Sequence, residues 1–92
     1  MNAYRPLDCD LHDYLEIACL YGYRLQVEWL DGPSFDARAL TTRTSAQQEE
    51  FLCLQGAQGE RAIRLDRLRA ITPLDPGSRF GRIELAGHFC PL

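Results

Sequence analysis

Between Asp10 and Tyr21 the apolar residues Leu11, Tyr14, Leu15, Ala18 and Tyr21 recur at steps of three and four. That spacing is the stripe of a helix laid across a core, and it predicts a helix over residues 10–21. Asp10 is placed as its N-cap, and Gly22 ends it by taking the left-handed conformation. Beyond Gly22 the period falls to two. Leu25, Val27 and Trp29 alternate with Arg24, Gln26 and Glu28, which predicts a strand over residues 23–30 with one buried face.

Asp31-Gly32 supplies a hairpin turn into a second strand, about residues 34–42, with Phe35, Ala37, Ala39 and Thr41 on one side. The polar run TTRTSAQQEE reads as a loop whose threonines can extend that strand. EFLCLQ, apolar at consecutive positions, reads as a central strand, and GAQG turns it back into ERAIRL. DRLRAITPL carries almost no turn chemistry and predicts a strand that bends sharply into a neighbouring sheet. DPGS is a further turn and RFGRIEL a last strand, while AGHFCPL, residues 86–92, reads as a flexible tail. The expected architecture is mainly β: one N-terminal helix and five to six short antiparallel strands, closed into a small curved barrel or sandwich.

Ninety-two residues, 46% hydrophobic and 25% charged, make one domain, here assigned to residues 1–85, too small to enclose a deep substrate cleft. No apolar run reaches the roughly 18 to 20 residues needed to span a bilayer. Residues 1–6, Met-Asn-Ala-Tyr-Arg-Pro, lack the basic and apolar regions of a signal peptide, and the expected location is the cytoplasm. The four cysteines form no C-x-x-C pair. Cys19 and Cys53 sit among apolar neighbours and read as reduced, packed thiols, so neither a structural metal nor a cofactor is expected. Cys9, near the helix start, is the candidate if the chain has a redox role.

Catalysis finds little support. Ser34, Ser45 and Ser78 all stand in turn-like contexts. His12 and Asp13 are adjacent on a helix and point about 100 degrees apart, so they form no dyad, and His12 reads as a solvated helix histidine. Charge is more informative, because it is unevenly spread. Residues 1–60 hold ten acids against four arginines, residues 61–92 six arginines against three acids, and there is no lysine. The net charge of −3 argues against direct nucleic-acid binding as the main role, since holding phosphates needs a basic face.

Two clusters stand out within that distribution. Asp8, Asp10, Asp13 and Glu16 crowd nine residues with no base among them. They form either a solvated outer face that suits the helix dipole or an acidic surface for a basic partner. Arg61, Arg64, Arg67 and Arg69 follow strand alternation, with Arg61, Arg67 and Arg69 sharing a parity. They are either partners for acids on adjacent strands or an RNA-binding stripe, to which Tyr21, Tyr23 and Trp29 could add stacking faces.

The run YRPLDCDLHDYLEIAC, through Tyr4, Pro6, Leu7, Cys9, Asp10, Asp13, Leu15, Glu16, Ile17, Ala18 and Cys19, resembles the opening of the Rof/YaeO-type Rho-binding antiterminators of bacteria. Asp31-Gly32 and IRLDRLRAI, residues 63–71, extend the resemblance to about residues 4–85. The resemblance implies an Sm-like fold, a helix on a small bent β-barrel, and a protein that is not an enzyme. It also implies a partner, the transcription termination factor Rho, whose RNA-loading amino-terminal region would be met by an acidic surface. On these terms Asp10, Asp13 and Glu16 are the contact residues, with Asp8 at a variable position. Leu11 stands where relatives can carry a further acid, and the tail has no counterpart. Loops after the second strand or at GAQG are further contact candidates, and the oligomeric state is not legible.

Overall fold

A computed structural model of the chain describes residue 7 and residues 9–86, Cys9 by its backbone alone. Asp8 and residues 87–92, most of the expected tail, lie outside the described residues. Helix α1 runs Cys9–Tyr21. It starts one residue before the expected cap, so Asp10 lies inside the first turn instead of capping it. At the far end the Gly22 N–H donates to the Cys19 carbonyl (3.2 Å) and the Tyr23 N–H to the Ala18 carbonyl (2.9 Å). This is a Schellman closure, and it needs the positive φ of 61° that Gly22 adopts. Leu15 and Ala18 are fully buried on the inner face, whereas Tyr21, assigned to the same stripe, is exposed and stacks on Tyr23 at 5.7 Å. The helix ends there, and the last residue of the stripe points past the core.

Six strands follow: β1 Arg24–Trp29, β2 Phe35–Thr44, β3 Glu50–Gly56, β4 Gly59–Arg64, β5 Leu68–Pro73 and β6 Ile83–Glu84. They form one antiparallel sheet in the order β4-β3-β2-β1-β5-β6. The expected second sheet is absent among the described residues, and the sharp bend is made by a 3-10 turn, Leu65–Arg67, between β4 and β5. In a flat sheet those two strands would stand four spacings apart, roughly 19 Å. Arg64 to Leu68 spans at most about 14 Å of extended chain. The sheet therefore curls until its first and fifth strands approach, giving the bent shape of a barrel whose ladder does not close. The last strand is two residues long where seven were expected, because Phe80 leaves the ladder to pack against Tyr14 (5.0 Å) and Tyr23 (6.0 Å).

The alternation read from sequence holds in β1, where Leu25 and Val27 are fully buried; β3, read as apolar at consecutive positions, alternates too, with Leu52 and Leu54 fully buried and Phe51 and Cys53 half-buried. In β2 it fails at one point. The register slips between Ala39, opposite Leu54, and Thr41, opposite Cys53, so Leu40 is an extra residue. A bulge of this kind reverses which side chains face inward. Thr41, expected inside, is exposed, and Leu40 emerges at the surface. Helix α1 packs on β2, whose inward residues Ala37 and Ala39 are small enough to let the helix come close. Leu15, Leu25, Leu52, Leu54, Leu65, Leu68, Ile71 and Leu85 fill the space between them.

Candidate functional site

Burying Leu15 and Ala18 turns the opposite side of α1 to solvent. Asp10, Asp13 and Glu16 follow at steps of three on that side, and all three are exposed. Among the described residues no ion pair engages Asp13. Glu16, 60% exposed, has the His12 Nδ1 3.6 Å from its Oε2. His12 itself differs from expectation. It is half-buried, and its Nε2 lies 2.8 Å from Glu50 Oε2 on β3. A carboxylate can only accept, so the ring nitrogen donates and ties the first half of the helix to the sheet. Sequence reasoning missed this link because the partners are 38 residues apart.

The arginines of 61–69 meet a different environment. Arg64 donates through Nε (2.7 Å) and Nη2 (3.0 Å) to Asp66 and through Nη1 (2.9 Å) to Glu49. These bonds hold its guanidinium even more firmly protonated than usual, the fork to Asp66 being the larger cause. Arg67 grips Asp31 through two bonds, one of them Nε to Oδ2 at 3.0 Å, and the Arg67 hydrogen bond lowers the Asp31 carboxyl below its ordinary pKa. Arg61 lies over Phe35 (4.3 Å) and Trp29 (5.0 Å). Arg69 is exposed. A shared parity for Arg61, Arg67 and Arg69 does not survive, because the 3-10 turn interrupts the alternation between them. Arg61 and Arg67 instead converge on the end of β1 and its turn, while Arg64 reaches back to the loop before β3.

Further pairs fall outside the residues singled out from sequence. Arg82 donates to Glu28 through Nε (3.0 Å) and Nη2 (3.2 Å), lowering the Glu28 pKa mainly through that hydrogen bond, and also reaches Glu84 at 3.4 Å. Cys19 and Cys53 are free and half-buried. Burial, with Cys53 and Glu16 adding to it, raises the Cys19 thiol to about 11, so it is almost wholly protonated near neutral pH and a poor nucleophile. Among the described residues no group of three or more His, Cys, Asp or Glu side chains is arranged to hold a metal ion. No helix among them is long and apolar enough to cross a membrane.

A helix on a curled antiparallel sheet has counterparts in known proteins. Residues 6–85 match the family described as Modulator of Rho-dependent transcription termination (ROF). The chain belongs to the Rof family. Within it, the chain is similar to Protein rof of Escherichia coli K12 and of Shigella flexneri. Each is 31% identical over 77 residues, covering 84% of this chain and 90% of the relative. Its fold is similar to that of YaeO bound to magnesium from Vibrio cholerae O395, with a TM-score of 0.72 and 25% identity, covering 79% of this chain and 95% of that one. Like the family, the chain is assigned to the modulation of Rho-dependent termination, a regulatory role. The Sm-like expectation, an N-terminal helix on a small strongly bent sheet, agrees with this neighbour and with the observed strands. The magnesium belongs to that structure; the described carboxylates here converge on no comparable set.

Proposed function

We propose that the chain is a cytoplasmic, non-catalytic inhibitor of termination that binds Rho's amino-terminal RNA-loading region through the acidic face of α1. Asp10, Asp13 and Glu16 form the described part of the contact, and Asp8 extends it toward the N-terminus. The observation that carries the reading is the exposure of Asp13 and Glu16 on one side of a helix, with no arginine among the described residues paired to either. Carboxylates so placed accept bidentate hydrogen bonds from a partner's guanidinium groups. They compete for the same donors that hold RNA phosphates, and occupancy alone blocks RNA entry. No covalent step is needed.

The chain's own design supports this division of labour. Arg64, Arg67 and Arg82 are held by Asp66, Glu49, Asp31 and Glu28, and none of the three is paired with Asp13 or Glu16. Had they folded onto the acids of α1, no anionic surface would be left for a partner. The test is Asp13→Arg, an exposed substitution expected to leave the fold intact. It should abolish measurable Rho binding and relief of termination in a transcription assay. Parental affinity for that variant at matched salt would sink the acidic-face mechanism. Affinity of the parent should also fall as salt rises, because exposed charges are screened within about 8 to 10 Å at 0.1 to 0.15 M.

A further inference from the structure

The acidic stripe of α1 does not end in solvent. Asp13, Glu16 and Leu20 stand at i, i+3 and i+7 on the helix, so one exposed row passes from carboxylates to an aliphatic side chain. Leu20 is 76% exposed. Facing it across a shallow groove is Leu40, 37% exposed, on the outer side of β2. Ile17, Cys19, Thr41, Thr42 and Glu16 complete its lining, and no basic side chain lines the groove. The bulge adds Thr41 to the outer side beside Leu40, and the largely apolar groove shares a carboxylate with the acidic face.

Resting on the Rho-binding reading above, we infer that this groove is the apolar half of the same contact. It takes an aliphatic or aromatic side chain of Rho that lies next to a basic residue on the partner's surface. The chemistry favours that occupant. A side chain entering between Leu20 and Leu40 removes apolar surface from water, and a flanking guanidinium or ammonium group meets Glu16. A purely acidic partner surface would be repelled there. A wholly apolar one would leave Glu16 desolvated without a partner. Charge would then govern the rate of encounter, and the groove would lengthen the life of the complex.

Leu20→Ser and Leu40→Ser, made separately in the full chain, test this against purified Rho. Because both side chains are exposed, the melting temperature should stay near the parent's. Each variant should weaken Rho binding about tenfold, the worth of one buried leucine. The loss should be the same at about 0.05 and 0.2 M salt, because an apolar contact is not screened as an ion pair is. If both variants bind Rho within about twofold of the parent while Asp13→Arg does not bind, the groove inference falls and the acidic-face reading stands. A parent that does not bind Rho at all overturns both. A third outcome also overturns the inference: sedimentation showing a dimer of the parent that Leu20→Ser dissociates, with Rho affinity unchanged, would make a second copy the occupant.

Discussion

The outer face of α1 and the arginine-bearing strands carry opposite charge, and the fold treats them in opposite ways. Asp13 and Glu16 project from a helix whose other side is anchored by Leu15 and Ala18, and none of the described arginines reaches them. Arg64, Arg67 and Arg82, by contrast, are each gripped by carboxylates through paired hydrogen bonds, and Arg61 is spread over Phe35 and Trp29. A charge already paired must give up its partner before it can bind anything else. An exposed, unengaged charge need only shed water. Among the described residues the comparison thus leaves Asp13 and Glu16 without an arginine partner, ties Arg64, Arg67 and Arg82 into the scaffold, and leaves Arg69 exposed.

The largest expected effect separates the two faces of the helix itself. Leu15→Ala empties a fully buried site and should cost about 2 to 5 kcal/mol in denaturant unfolding. Any loss of Rho binding should follow only from unfolding. Next comes Asp13→Arg on the outer face, which should cost about 2 kcal/mol or more in Rho binding and less than about 0.5 kcal/mol in stability. A melting temperature that fell with affinity would show the outer face to be structural. Arg64→Ala should reverse the pattern, losing about 1 to 2 kcal/mol of stability by leaving Asp66 and Glu49 without their donor. Its Rho affinity should stay within about twofold.

The arginine side has its own direct test. In filter binding with single-stranded RNA, no submicromolar retention is expected. Retention abolished by Arg61→Ala with Arg69→Ala would invert the comparison and make the strands the functional surface.

The smallest effect is on acid stability. Glu28 and Asp31 have lowered pKa values in the folded chain because Arg82 and Arg67 donate to them. Their stabilising effect is complete above the ordinary carboxylate range, about pH 4, and is lost as pH falls through the lower folded values. Both pairs are exposed, so a melting curve taken below about pH 4 should show only a modest decline, shallower still at high salt.

Helix α1, the β1 alternation and the Gly22 stop were legible because each rests on residues close in sequence, where period and backbone freedom act locally. The same holds for the acidic run, since neighbours on a helix share a face whatever the rest of the chain does. Parity from Arg61 to Arg69 failed because a 3-10 turn replaced an expected bend in a continuous strand. No turn residue marks it, and burial of Leu65 holds it in place. His12 looked solvated because nothing local shows that Glu50 arrives beside it. The exposed Thr41 was hidden for a similar reason, since a bulge is settled by how β2 meets β3 and not by β2 alone.

By itself, the sequence determined that one amphipathic helix precedes a run of short antiparallel strands, that acids crowd the helix, and that its opening motif resembles the Rho-binding antiterminators. Tertiary structure alone decided which charges remain available. Beside short-range pairs such as Arg64 with Asp66, the arginines meet carboxylates 15 to 54 positions away, as Glu49 with Arg64 and Glu28 with Arg82, and only the tertiary fold sets those distances. The packing of α1 on β2 puts Leu40 opposite Leu20, joining two apolar residues from separate elements into one groove.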